Sequence, residues 1–239
     1  MMRVIDREQA KRIAGFGSTT RANARLLGLT RAGLLRRFFL GTTASGKKAI
    51  YALSSKGAAL VGVPKRGPRR RTDEALTTDF FTLHQLAINE IYCGVKYQEK
   101  PRNIEFARWI SFHEPLRHNL RLIPDGYFEM KTSQRTVAAF LEIDRGSETL
   151  AVWKQKVHNY IQLALSTDFE KQFHQTRFRV LVLANSEGRL RSIRKLVATI
   201  TDKIFWFATF ESVREKGLFT IRWLRPRTDE PQILIDETP

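Results

Sequence analysis

The sequence is short of cysteine: Cys93 is the only one in 239 residues, so no intramolecular disulfide and no cysteine-rich zinc site can form. It also lacks an apolar run long enough to span a bilayer and an N-terminal h-region. A cytoplasmic protein without membrane attachment is expected. A glycine-rich phosphate loop and a nucleophile elbow are missing, which leaves nucleotide hydrolysis and serine chemistry without support. His113, His118 and His174 lack metal-ligand spacing, and His84 and His158 fall in helical patterns. No internal repeat is present. Acidic residues are nearly missing from the first third. Residues 1–71 hold 17 Lys and Arg against Asp6 and Glu8, a net of +15.

The whole chain carries 41 Lys and Arg against 24 Asp and Glu, a net of +17, so residues 72–239 contribute only +2. A basic first third on a nearly neutral remainder implies two modules, the first of which meets a polyanion. Its hydrophobic periodicity argues against a disordered basic tail. Residues 7–16 read as a helix ending near glycine. Ser18 or Thr19 caps a second helix with Ala22, Leu26 and Leu29 at helical spacing and Gly33 at its end. Then "RRFFLGTTASGKKAIYALS" reads as strand, Gly/Ser-rich turn and strand, and "SSKGAALVG" as a short helix. Helix, turn, helix and basic hairpin is the order of a winged helix-turn-helix. The second helix carries Arg21, Arg25 and Arg31, and the hairpin tip carries Lys47 and Lys48. "LTRAGLLRRF…YALSSKGAAL" resembles winged-helix DNA-binding domains. By that resemblance the second helix enters the major groove of duplex DNA, although its arginines would serve equally as phosphate clamps.

The expected organisation is a winged helix at 1–62, a Pro/Gly/Arg-rich basic linker at 63–71, and an α/β module at 72–239. The last opens with an amphipathic helix, "TTDFFTLHQLAINEIYCGVKYQ". Strands follow at "NIEFARWI", "LIPDGYFEM", "TVAAFLEID", "RFRVLVLA", "IFWFATF" and "LFTIRWL", with helices at about 148–165 and 187–203. The aromatic "FWFATF" reads as core strand rather than a base-stacking platform.

"FLEID", residues 140–144, ends an apolar strand with Glu142 and Asp144 on one face. Two like charges side by side require a cation or a proton between them. The polar "KTSQR" between two strands is a hairpin signal. Folding there brings Asp125 opposite 141–142, so that Asp125, Glu142 and Asp144 converge at one end of a sheet. Converging carboxylates suit a hard cation such as Mg²⁺. Asp125 as a turn cap, and Asp144-Arg145-Gly146 as an ordinary turn, are the plain alternatives.

The pattern "PD…LEID" resembles the PD-(D/E)XK nuclease-like superfamily. That resemblance implies metal binding by Asp125 and Glu142, with Glu90 on the first helix as a further acidic residue. The lysine expected at position 144 is replaced by Asp144. Its role in handling the water would pass to the following helix, which offers Lys154 and Lys156, the latter one turn before Tyr160. "TLHQLAINEIY", "RWISFHEPLR", "LIPDGYFEM", "FLEIDRG" and "KQKVHNYIQL" together resemble the replication-relaxation family of bacterial plasmids and mobile elements. This resemblance implies a winged-helix head on a nuclease-like body. The expected function is DNA binding in plasmid or mobile-element replication or mobilisation, with a second module that is a scaffold or carries a decayed site. Two alternatives stand beside it: an active Mg²⁺-dependent endonuclease or nickase, and a transcriptional repressor whose second module dimerises. The expected partners are double-stranded DNA and a relaxase or replication protein, with self-association as a further possibility.

Overall fold

The structure is a computed structural model that describes residues 2–41, 46–65, the backbone of 75–76, and residues 80–101, 103–117 and 120–235. Most of the basic linker, the tip of the hairpin at 42–45, and His118 lie outside the described residues. The chain divides into two compact units, Met1–Cys93 and Gly94–Pro239.

In the first unit, β1 (Ile5–Asp6) leads directly into α1 (Arg7–Ala14). Asp6 caps α1 in a capping box, its side chain accepting from the Gln9 N–H while Gln9 reaches back to the Asp6 N–H. Ser18 caps α2 (Thr19–Arg31) by accepting from the Arg21 N–H. β2 (Leu35–Gly41) and β3 (Lys47–Leu53) form an antiparallel hairpin with Phe38 opposite Ile50. The short α3 (Ser55–Leu60) is capped by Ser54, whose hydroxyl also donates to the Gly33 carbonyl at 2.6 Å. Gly57 is obligatory there, since a Cβ would lie 2.1 Å from the Leu34 carbonyl oxygen. With β4 (Ala75–Leu76) the sheet order is β1-β3-β2-β4. Val4, Phe38, Leu40, Ile50, Ala52 and Leu86 form the core.

Leu86 belongs to α4 (Phe80–Tyr97), and the division between units falls inside this helix. The sequence reading opens the second module at residue 72, whereas most of α4 lies in the first unit. The reason is a set of polar ties. Gln9 donates to the Leu86 carbonyl at 2.9 Å, Asn89 donates to the Val4 carbonyl at 2.6 Å, and Arg12 pairs with Glu90 at 2.6 Å.

The second unit is α/β around a mixed five-stranded sheet of order β5-β6-β7-β8-β9: β5 (Glu105–Ile110), β6 (Gly126–Lys131), β7 (Thr136–Asp144), β8 (Arg179–Ala184) and β9 (Phe205–Thr209). β5, β6 and β7 run antiparallel, while β7, β8 and β9 are parallel. The parallel half requires crossovers. α5 (Leu150–Leu165) and α6 (Asp168–Phe173) supply the first, and α7 (Glu187–Ile200) the second. α8 (Phe210–Lys216) and the two-residue strands β10 (Arg222–Trp223) and β11 (Gln232–Ile233) complete the unit.

β7 is central, and every residue from Val137 to Asp144 is buried, as a strand covered on both faces must be. Ala138 and Phe140 point into a core with Val180, Val182, Phe205 and Phe207 from the neighbouring strands. Trp153, Val157, Tyr160 and Leu163, at helical spacing on α5, and Leu190, Ile193 and Val197 on α7 close that core. By strand alternation Glu142 and Asp144 continue the Ala138–Phe140 face.

Candidate functional site

The five basic residues that the sequence assigns to DNA divide into two sets. Lys48 at the foot of β3 is held by Asp6, Nζ to carboxylate at 2.5 Å. Arg21, Arg25, Arg31 and Lys47 are exposed and pair with no carboxylate among the described residues. α2 buries only Ala22 and Leu26, so most of its circumference faces outward. Arg21 and Arg25 lie one turn apart on that outward surface. Leu29, at core spacing in the sequence, is 40% exposed.

In the second unit the hairpin register pairs Gly126 with Leu141. A Cβ at Gly126 would come within 2.6 Å of the Trp109 ring, so β6 can pass beneath that indole only with glycine here. Asp125 is pinned against β7 through its backbone and its side chain. Its N–H donates to the Leu141 carbonyl at 3.0 Å, and its Oδ2 accepts from the Ile143 N–H at 2.7 Å. This sets Asp125 next to Glu142.

Glu142 is 1% exposed and both its oxygens are engaged. Oε2 accepts from Lys156 Nζ at 2.8 Å, and Oε1 from the Tyr160 hydroxyl at 2.6 Å. Lys156 and Tyr160 sit one turn apart on α5, so one helical face delivers both donors. Lys156 also meets Glu148 at 2.8 Å and keeps 20% of its side chain exposed. Burial pushes the Glu142 carboxyl up to about 7; the charge and hydrogen bond of Lys156 oppose the rise, and Asp125 adds to it. Burial works against the Lys156 ammonium, but Glu142 and Glu148 outweigh it and hold the lysine charged well above its ordinary range. Tyr160 is driven well above the ordinary tyrosine value by burial and by the Glu142 charge, so it stays a donor.

Asp144 is held differently. Arg189, in the first turn of α7, forks onto it with Nε at 2.9 Å from Oδ1 and a terminal nitrogen at 2.7 Å from Oδ2. The Trp153 indole N–H donates at 2.6 Å and the Gly146 N–H at 2.7 Å. Burial alone would raise this carboxyl; these donors outweigh it and hold Asp144 below the usual aspartate value.

The structure therefore brings Asp125, Glu142 and Lys156 together with Tyr160, and gives Asp144 a separate partner in Arg189. Glu90 pairs with Arg12 in the first unit. Among the described residues no group of three or more His, Cys, Asp or Glu side chains is arranged to hold a metal ion. As the side chains stand, Lys156 and Tyr160 take one acceptor site on each Glu142 oxygen, while four hydrogen bonds fill those of Asp144, which leaves it no room for Mg²⁺. The sequence reading missed Arg189. Its only local signal is its place three residues after Ser186, the residue that caps α7, and that spacing says nothing about a carboxylate 45 positions earlier. No described helix is long and apolar enough to cross a membrane.

A family model described as replication-relaxation matches residues 1–177, from the first unit through β7 and α5 to just short of β8. Comparisons with curated proteins and with solved structures find no match.

Proposed function

The chain belongs to the replication-relaxation family, and on that premise we propose that it binds duplex DNA in plasmid or mobile-element replication or mobilisation. The first unit is a winged helix-turn-helix in this reading: α2 enters the major groove, and the β2–β3 hairpin is the wing. The observation that carries the proposal is the arginine surface of α2. Exposed Arg21, Arg25 and Arg31 have no carboxylate partner among the described residues, within a segment of net +15 over residues 1–71. Lys47 extends this surface onto the wing, whereas Lys48 must first leave Asp6.

The second unit serves as a nuclease-like scaffold. Glu142 and Asp144 each carry an internal counter-ion, Lys156 and Arg189, as expected where carboxylates stay buried after a metal site has decayed. The placement of Asp125, Glu142 and Lys156 favours a second reading, an endonuclease of the PD-(D/E)XK type with the lysine on the helix after the strand. That reading requires Glu142 to release Lys156 and Tyr160. A transcriptional repressor that dimerises through the second unit would share the DNA-binding head.

Binding titrations of the full chain on duplex DNA across a salt series test the proposal. Replacing Arg21 and Arg25 together with alanine should weaken binding about tenfold or more and lower the log–log salt slope by about two, one for each phosphate no longer neutralised. Unchanged affinity and slope would remove α2 from the interface. A nicking assay on supercoiled plasmid with Mn²⁺ separates scaffold from nuclease. Cleavage that Glu142→Gln abolishes would establish the second reading.

A further inference from the structure

At the opposite end of the parallel strands from Glu142 and Asp144, the second unit holds a cavity of about 700 Å³. Arg179 opens β8, Trp206 lies at the start of β9, Arg135 sits in the turn before β7, and Arg177 and Arg225 complete the cationic lining. Among the described lining residues Glu170 is the only carboxylate, and it pairs with none of the four arginines. Arg179 donates to the Leu234 carbonyl and Arg225 to the Asp202 carbonyl, while Arg135 and Arg177 have no side-chain partner among the described residues.

Two of these guanidinium groups, Arg179 and Arg225, each lie 4.5 Å from the centroid of the same Trp206 ring. The ring attracts each cation, while the two like charges repel each other and leave an anion favoured beside them. The Arg179 guanidinium is accordingly pulled down to about 10, first by burial and then by the charges of Arg135 and Arg225. The Nε–H of Arg225 is buried and has no hydrogen-bond partner among the described residues, which costs free energy unless something supplies an acceptor. The remaining lining mixes Phe169, Phe178 and Ile204 with polar Thr136, Ser166, Gln175 and Thr176. The volume suits a small organic ligand. Guanidinium forks match phosphate oxygens, and the hydroxyl and amide groups of Thr136, Ser166, Gln175 and Thr176 can hydrogen-bond the edge of a base.

We propose that this cavity binds a phosphorylated nucleotide, its phosphates held by Arg135, Arg177, Arg179 and Arg225 and its base edge met by the polar side chains of the lining. The ligand is either a free nucleotide or the 5′-phosphorylated terminal nucleotide of a single strand, since the two share the chemistry recognised. All the lining residues belong to the second unit.

Calorimetry on the full chain with dATP, inorganic triphosphate, and a short single-stranded oligonucleotide with and without a 5′-phosphate tests this. The expected result is saturable one-to-one binding of dATP. The Arg135→Ala/Arg177→Ala double variant, which touches only exposed side chains, should weaken it about tenfold or more, and Arg225→Gln should do the same. Competition by the phosphorylated oligonucleotide alone identifies a strand end as the ligand; competition by neither oligonucleotide identifies a free nucleotide. No saturable binding, or binding indifferent to both variants, would overturn the site. Triphosphate binding as tight as dATP would overturn the nucleotide assignment. Duplex binding is read on a different probe and through different residues, so failure here and failure of the α2 surface are separable.

Discussion

The pockets around Glu142 and Asp144 begin from the same position, two carboxylates on one face of one buried strand, and they are stabilised in opposite ways. Asp144 receives four hydrogen bonds, two from the Arg189 fork, and is held below its ordinary range. Glu142 receives two, lies beside another carboxylate, and is pushed up toward neutrality. Burial alone therefore does not determine the state of a carboxylate. The number of donors and the sign of the next charge decide between a fixed anion and a group that takes up a proton.

Breaking the Asp144 pair should cost the most. Arg189→Met leaves a buried anion without its cation, and the loss of stability at pH 7 should be about 3–5 kcal/mol by chemical denaturation. Lys156→Met should cost less at pH 6, because Glu142 can protonate there in place of losing a partner. The reverse order would dissolve the contrast.

The pH dependence of stability sharpens it. The Glu142 carboxyl lies higher in the folded protein, about 7 against 4.5 for an unperturbed group. Its contribution is thus fully present below pH 4.5 and is lost as pH rises through about 7. Asp144 has the opposite sign: its contribution is present above its ordinary value of 3.8 and is lost as pH falls through the lower folded value. Urea titrations of the wild type and Glu142→Gln between pH 4.5 and 7.5 should differ in slope over that window. Parallel curves would place Glu142 with Asp144 as a fixed anion.

The smallest effect is expected from Tyr160→Phe, which removes one hydrogen bond to Glu142 and leaves the ring in the core. A loss of about 1.5 kcal/mol is expected, together with a further rise of the Glu142 carboxyl, visible as a shift of that same pH window.

The hairpin was legible because two largely apolar runs flank a short polar turn, and Lys156 was offered, beside Lys154, by the resemblance that moves the lysine to the helix after the strand. Other features had no local signature. Arg189 reaches Asp144 only through the parallel pairing of β7 with β8, which places α7 at that strand end. α6 and α8, six and seven residues long, are too short to show a helical period. "LFTIRWL" looks like a full strand, yet only Arg222–Trp223 pair as one, after a turn at Gly217 with φ of +86°. The four arginines of the β8–β9 cavity are scattered from 135 to 225, and only the folded sheet collects them.

The mixed order of the central sheet has a consequence for how the chain reaches it. The β6–β7 pairing closes over a four-residue turn and can form early, because little loop entropy opposes it. The other edge of β7 must wait for β8, whose Arg179 pairs with Ala139 forty positions away. During that interval a strand of sequence VAAFLEI presents unpaired backbone beside a mostly apolar face, the condition under which nascent chains pair with one another. Refolding yield should therefore fall with protein concentration before folding rate changes. Glu142, the charge inside that run, is then a deterrent to mispairing for as long as the sheet is half built.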